Sequence, residues 1–182
     1  MTGKSCIIIT GAFLATSLFT GCIEDTPSPI TVPSHTEFDA SNFLLKENNS
    51  IKKVRGQVLY LPIYSNVPYF EHDKSYDLSA FIAIHNTDLF NTMKITKVLF
   101  FDNDGKLVAD YLEKETILLP LAATNYFVPE KDNSGTGANF IVEWVSDSLI
   151  NEPLIESVMV GLKFNQGVSF LSSGRIMREI TN

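Results

Sequence analysis

The chain has 182 residues, 45% of them hydrophobic, and a formal net charge of -7 at pH 7. This length accommodates one domain of ordinary size, and the apolar and aromatic content indicates a folded globule with its own core. The acidic balance excludes nucleic-acid binding, because such a chain repels phosphate groups instead of releasing their counterions.

Residues 1–21 have the features of a lipoprotein signal peptide. A short N-terminal segment with one lysine, Lys4, precedes an apolar stretch from Cys6 to Phe19. This stretch has the length of a signal-peptide core and is too short to span a bilayer comfortably. The small residues before Cys22 resemble a bacterial lipobox, so we expect cleavage after Gly21 and acylation of Cys22, for example by palmitate. An uncleaved membrane anchor and a secretory peptide cut elsewhere are the alternatives.

The cysteine count supports the same interpretation of Cys22. Cys6 would be removed with the leader, which leaves Cys22 as the one cysteine of the mature chain. A disulfide or a cysteine metal site is therefore not expected. Ile23 follows the cysteine, and by resemblance to enterobacterial sorting rules it predicts an outer-membrane protein, facing the periplasm or the surface, more than an inner-membrane one.

Residues 22–55 are predicted to be the lipidated N-terminus and a flexible tether. Three prolines between Glu24 and Ser34 disfavour helix and sheet and favour an extended spacer. The second half of the tether contains apolar residues that could pack on the domain as a partly docked arm: Phe38, Phe43, Leu44 and Leu45.

Residues 56–177 are predicted to form one all-β domain, followed by a C-terminal tail at 178–182. Short apolar runs are broken by turn residues about every ten positions, which is typical of a sandwich or barrel. The simplest fold is a single immunoglobulin-like β-sandwich. The predicted strands are Val58–Tyr64, Tyr76–His85, Lys94–Phe101, Lys106–Tyr111, Ile117–Leu121, Thr124–Val128, Asn139–Val145, Ile155–Lys163 and Val168–Leu171.

Three clusters of polar residues invite a chemical interpretation, and each has a simpler one. Asp102–Gly105 has clustered carboxylates, but the positions that follow lack the oxygen donor and the glycine of an EF-hand, so we expect a hairpin turn. Adjacent residues such as Glu71–Asp73 seldom point at one ion, which favours a solvated loop. His85 and Asp88 could join a serine, but no serine lies in a Gly-x-Ser-x-Gly elbow. We predict no catalytic residue, no metal and no cofactor.

Aromatic residues provide the candidates for binding. Tyr69 and Phe70 lie in a predicted loop from Tyr64 to Tyr76, where aromatic side chains could contact a partner protein or a sugar ring. Trp144, the single tryptophan, is either a core residue between two sheets or a ligand platform near the predicted flexible loop 131–138.

Six segments of the predicted domain share a pattern with one known family: Tyr60–Ser65, His85–Asp88, Phe101–Val108, Leu119–Ala122, Ser134–Trp144 and Gly167–Phe170. On these segments the chain resembles the bacterial domain-of-unknown-function family 3124 from about Val58 to Arg175. Members are often lipoproteins, so the resemblance implies the extent of the domain and an envelope address. It implies no activity, substrate or catalytic residue. His85 stands where arginine is expected in the family's Arg-Asn-Thr-Asp pattern.

The sequence therefore predicts a membrane-tethered, non-catalytic envelope lipoprotein that acts as a protein-interaction module. Its expected partners are a membrane, through the N-terminal lipid, and another envelope protein. The alternative is an envelope lipoprotein that binds a small ligand or glycan through Trp144 and the 131–138 loop.

The lipid anchor can be tested on Cys22 directly. The variant Cys22→Ala is expected to lose incorporation of labelled palmitate and to leave the membrane fraction or be mislocalised, because the acylated thiol is gone. The matched control is Cys6→Ala, which changes the only other cysteine and should leave labelling unchanged. Labelled, membrane-bound Cys22→Ala protein would contradict the prediction.

Overall fold

The structure is a computed structural model that describes residues 30–31, 53–69, 71–130, 132, 134–163 and 165–181. The predictions for the leader, for Cys22 and for Phe70, and most of those for the tether, lie outside these residues. In the part that is described, no helix is long and apolar enough to cross a membrane.

The prediction of an all-β domain is confirmed, since the described residues form thirteen strands and no helix. Alternating runs of β-branched and aromatic residues account for the longer strands. The strands are β1 (Ile30–Thr31), β2 (Arg55–Pro62), β3 (Asn66–Tyr69), β4 (Glu71–Asp77), β5 (Ser79–His85), β6 (Met93–Phe101), β7 (Leu107–Asp110), β8 (Thr116–Leu118), β9 (Ala123–Val128), β10 (Asn139–Ser146), β11 (Leu154–Lys163), β12 (Gln166–Ser173) and β13 (Arg175–Ile180).

Two antiparallel sheets pack face to face as a sandwich. The larger sheet has the order β1-β7-β6-β10-β2-β13, and β8 pairs with the beginning of β6. The smaller sheet has the order β12-β11-β5-β9, while β3 and β4 form a separate hairpin. We call the end of the sandwich at which β5 finishes and β6 begins the tip end. The hairpin and the turn 102–105 lie at the opposite end.

The core lies between the two sheets and is built from alternate residues of their strands. Leu61, Phe140 and Trp144 of the larger sheet face Ile82 and Met159 of the smaller one, and all five are 0% exposed. The ring of Phe140 stacks on Phe100 with 4.9 Å between centroids. Burial of side chains of this size is the main favourable contribution to folding.

Strand β10 is buried on both of its faces. Its inward residues join the main core, and Ile141 on the opposite face joins a second apolar cluster with Val58, Leu99 and Phe101. Glu143 on that same face is 7% exposed, and it accepts a hydrogen bond from Thr96 Oγ1 at 2.7 Å. A fully buried central strand explains why its sequence is a nearly continuous apolar run.

Three segments differ from their predictions. The predicted loop Tyr64–Tyr76 contains the β3–β4 hairpin, and the predicted strand Tyr76–His85 divides at Leu78 into the end of β4 and β5. At the C-terminus, β13 pairs with β2 as far as Ile180, so residues 178–180 belong to the sheet and not to a tail. β3, β4 and β13 are largely polar or exposed, and hydrophobic alternation detects such strands poorly.

The packing of Phe140 can be tested by truncation. Phe140→Ala is expected to lower the free energy of unfolding by about 3–5 kcal/mol, because it removes a fully buried ring and leaves a cavity beside Phe100. Phe127→Ala, at a 49% exposed position of β9, is the matched control and should cost about 1 kcal/mol or less. Urea unfolding measures both values. Equal losses would contradict the assignment of Phe140 to the core.

Candidate functional site

Trp144 does not form a binding site with the other predicted residues. It is 0% exposed inside the core, so the prediction that it is a ligand platform is wrong and the core alternative is confirmed. Its indole N–H has no hydrogen-bond partner among the described residues. Burial follows from the position of Trp144 on the inward face of β10, which the sequence alone did not establish.

Tyr69 lies in the β3–β4 hairpin, at the end of the sandwich opposite the tip end. Its ring is 4.7 Å from the ring of Tyr76, and the ammonium group of Lys163 lies 5.0 Å from the centroid of Tyr69. The same Lys163 Nζ donates a hydrogen bond to the Ser75 carbonyl at 2.9 Å. Tyr69 therefore connects the hairpin to the end of β11 by ring and cation–π contacts. Its role in binding a partner stays a prediction.

The loop around residues 131–138 is tied to the domain by polar contacts at two points. Ser65 Oγ donates to Asp132 Oδ2 at 2.9 Å and lies 2.9 Å from Ser134 Oγ. Asn103 N donates to the Ser134 carbonyl at 2.9 Å, and Gly137 N donates to the Asn103 side chain. Gly135 has a φ of 93°, and a Cβ there would collide with Asn103, so glycine is required. These polar groups hold the loop in place.

His85 lies far from this serine and aspartate cluster. It occupies the tip end of β5, opposite Leu154 of β11 and Ala123 of β9. The cluster of Ser65, Asp132 and Ser134 lies at the other end of the sandwich. The arrangement of His85 and these groups therefore provides no nucleophile with an adjacent imidazole base.

At the tip end, Asn86 joins two segments of the chain, its own loop and the end of β8. Its buried Nδ2 donates to the carbonyls of Asn91, Leu118 and Leu119 at 2.9, 3.2 and 3.0 Å. Its Oδ1 accepts from Asp88 N at 3.0 Å. A buried amide with this many partners fixes the backbone around it, because each unmet bond would be costly.

Asp88 connects a further loop to the same point. Its Oδ1 accepts from Phe90 N at 2.9 Å and Asn91 N at 2.8 Å, and its Oδ2 accepts from Asn151 N at 3.0 Å. These backbone hydrogen bonds, with the bond from Phe90 as the largest cause, lower the pKa of Asp88 from 3.8 to about 2. The Asn-Thr-Asp motif is therefore structural: it fastens three loops to one another.

These three loops carry five exposed large apolar side chains, and two of them, Phe90 and Leu149, are the most exposed large apolar side chains among the described residues. We call this set the loop tip: Leu89 (59% exposed), Phe90 (84%), Leu119 (62%), Leu121 (67%) and Leu149 (77%). Leu121 also has a φ of 61°, a conformation that a leucine rarely adopts, and its N–H donates to the Asp88 carbonyl at 3.2 Å. The loop tip is therefore a candidate interaction surface.

A second apolar surface lies on the outer face of the smaller sheet. Phe127, Phe81, Val158 and Leu171 are consecutive cross-strand partners and form one row over all four strands. Exposures along the row are 49% for Phe127, 41% for Phe81 and 54% for Leu171. With Val160 and Leu162, which are 48% and 72% exposed on β11, this row forms what we call the apolar sheet face.

Two observations on the described residues concern metal and glycan binding. No three of their His, Cys, Asp or Glu side chains lie close enough to hold a metal ion. A cleft of about 260 Å³ opens between β8 and the end of β10, with Ile117, Lys94 and Asp147 in its lining. The cleft has no aromatic side chain in its lining and so lacks the stacking surface that the glycan-binding alternative requires.

The sequence did not reveal either apolar surface. The loop-tip residues come from segments up to 60 positions apart, and the face residues come from four strands. One signal was present: Leu89-Phe90 follows the Asn-Thr-Asp motif directly, and two large apolar residues are unusual in a turn-rich loop.

Together these features define an all-β sandwich domain with structural polar motifs and two exposed apolar surfaces. The chain belongs to the family described as "Protein of unknown function (DUF3124)", which matches residues 56–177. No curated protein matches the chain. A solved structure described as "Crystal Structure of Thermotoga maritima 1070" is similar at 14% sequence identity, over 69% of this chain and 96% of that chain, with a TM-score of 0.39. A likeness of that size has no bearing on function.

The role of Asp88 gives a pH-dependent prediction. Because its pKa is lowered in the fold, ionised Asp88 stabilises the protein above pH 3.8, and this contribution is lost as the pH falls through about 2. Asp88→Asn places an N–H₂ group against backbone donors, so its urea midpoint should be lower than that of the wild type at pH 7. The difference should shrink between pH 4 and pH 2. Asp104→Asn, at an exposed position of the opposite turn, is the control and should show no such difference.

Proposed function

We propose that the chain is a lipid-anchored, non-catalytic module of the cell envelope that binds another protein through its apolar sheet face. The observation that carries this proposal is the row of exposed apolar residues across the smaller sheet. Exposed apolar area of this kind is costly to maintain in water and is typical of surfaces that bind a partner.

The composition of the face favours a protein as the partner. Among the outward positions of its four strands, the ionisable residues are His85 and Glu156. The remaining polar residues are neutral and small: Ser79, Asn125, Ser169 and Ser173. Protein interfaces combine aromatic and aliphatic side chains with few charges at their centre, and they place hydrogen-bonding groups around them.

The location rests on the N-terminal sequence. A signal peptide at 1–21, a cysteine at its end and a proline-containing spacer after it are the elements of a tethered lipoprotein. Anchoring to the outer membrane, facing the periplasm or the surface, is part of the proposal. A tethered domain meets its partners at a raised local concentration, so moderate affinity is sufficient.

The polar residues of the family motif support a role without catalysis. Asn86 and Asp88 use their side chains to hold loop backbone, and Ser65 and Ser134 bond with Asp132. Groups occupied in this way have a structural task at neutral pH. The proposal therefore assigns recognition to the apolar surface and structure to the polar motifs.

Site-specific photocrosslinking in intact cells tests the face. A photoreactive phenylalanine analogue at Phe81 or Phe127 should give the same crosslinked partner. The double variant Phe81→Thr, Leu171→Thr should abolish capture by the remaining position, because threonine keeps β propensity but removes the apolar row. The matched control is Met177→Thr, at a residue of β13 on the other sheet that is 62% exposed, and capture should continue.

Three results would contradict the proposal. Capture that persists in the double variant would place the partner elsewhere on the domain. A crosslink only to a second copy of the chain would make the face a homodimer interface. An absence of any crosslink from both positions, with the protein present in membranes, would leave the face without a protein partner.

A further inference from the structure

We infer that the loop tip contacts the lipid bilayer in which the chain is anchored, so that the domain lies with its tip end on the membrane. This inference rests on the proposed lipid anchor. The loop tip is a different surface from the apolar sheet face. Five observations support it: the shape of the loop tip, the direction of the chain at β1, the reach of the N-terminus, the start of the sandwich at Val54, and the charges at the tip end.

The loop tip presents its apolar side chains in a fixed arrangement. Phe90 is 84% exposed, although its own N–H is held by Asp88 at 2.9 Å. Leu149 is 77% exposed, and the neighbouring Asn151 N–H is held by the same carboxylate at 3.0 Å. Because the loops are already ordered, insertion of these side chains into an apolar phase requires little further loss of backbone entropy.

β1 points away from the tip end. β7 pairs with β6 from Phe101 back towards Leu99, so it runs towards the tip end. β1 pairs antiparallel with β7, with Ile30 opposite Asp110 and Thr31 opposite Ala109. The step from Ile30 to Thr31 therefore leads away from the tip end. An extended segment before Ile30 would run towards it.

The distance to the anchor matches this direction. Ile30 lies level with Leu99, and six residues of β6 separate Leu99 from Met93 at the tip end, a distance of roughly 20 Å. Cys22 precedes Ile30 by eight residues, and such a segment spans at most about 29 Å. The acyl chains on Cys22 would therefore reach the level of the loop tip.

The main body of the domain also begins at the tip end. Val54 N donates to the Ser146 carbonyl at 2.8 Å, where β10 finishes. Arg55 follows, and its guanidinium donates to the Ile150 carbonyl in the loop that carries Leu149. The sandwich thus begins beside the loop tip.

The charges near the loop tip favour apolar insertion over electrostatic attraction to anionic lipid. Arg55 pairs with Glu152 at 3.0 Å, and Lys94 pairs with Glu115 at 2.9 Å. Basic residues that attract anionic headgroups occur as clusters, whereas Arg55 and Lys94 are each matched by an acid. Lys53, beside Val54, is a single further base, and Asp147 is a further exposed acid. Binding should therefore depend on the apolar residues and change little with the content of anionic lipid.

A fluorescent probe at single cysteines tests the orientation. The chain 23–182 contains every described residue and no cysteine, so one cysteine can be introduced and labelled with nitrobenzoxadiazole. An N-terminal histidine tag holds this chain on phosphatidylcholine vesicles that contain nickel-chelating lipid, in place of the acyl anchor. Phe90→Cys places the probe in the loop tip, and Leu171→Cys places the control probe on the apolar sheet face.

The probe at position 90 is expected to shift its emission to the blue and to become brighter on vesicles, because it enters the apolar interface. The probe at position 171 should stay unchanged, and added phosphatidylglycerol should change neither result. In flotation without the nickel lipid, Phe90→Ser with Leu149→Ser should lower the bound fraction about tenfold or more. Leu162→Ser, at a 72% exposed position of the apolar sheet face, is the control.

Several outcomes would overturn the inference. A response at position 171 without one at position 90 would mean that the sheet face lies on the bilayer. A lack of response at both positions would mean that the loop tip stays in water. Loss of a crosslinked protein partner in Phe90→Ser, with no vesicle response, would make the loop tip a protein-binding site. Failure of the Cys22 labelling experiment would remove the anchor, but it would leave the vesicle measurements as they are.

Discussion

The arrangement of the whole sandwich depends on the double pairing and double burial of β10. It pairs with β6 along one edge and with β2 along the other, and its residues are buried on both faces. A strand in this position requires apolar residues on both sides, and any polar residue needs a partner. Glu143 meets that condition through Thr96 and through Lys97 at 3.5 Å. Gly56 on β2 meets a steric condition, because a Cβ there would come within 2.5 Å of the Trp144 carbonyl oxygen.

The same principle of satisfied polar groups explains the loops at the tip end. Asn86 and Asp88 are buried, and their bonds to loop backbone replace those that water would otherwise make. A loop fixed in this way can expose leucine and phenylalanine without folding them back onto the core. The buried polar residues therefore allow the apolar residues to stay exposed. The Asn-Thr-Asp motif has residue types that suggest catalysis, but its side chains hold the loops in position. The glycine-containing loop at the opposite end follows the same logic with Asn103 and Ser134.

The strands with strong alternation were predictable from the sequence, whereas the surfaces were not. In β5, Ala80, Ile82 and Ile84 alternate with outward residues and define the core face directly. β13 mixes charged and apolar residues without a period of two at an exposed edge, so its pairing with β2 depends on tertiary contacts that no local pattern contains. Trp144 shows that local sequence patterns have the same limit for a buried residue. An aromatic residue in a strand belongs to the core or to a surface according to which face packs, and periodicity alone does not identify that face.

The two proposed surfaces together restrict where a partner can be. The strands run from the tip end to the opposite end, so a loop tip on the bilayer would set them along the membrane normal. The apolar sheet face would then be perpendicular to the plane of the membrane and would not point away from it. Phe81 lies four residues from His85 at the tip end of β5, which places the row about 13 Å above that end. A protein that covers the row must therefore come close to the same membrane surface, and a partner held at that surface is more compatible with this geometry than one that diffuses freely.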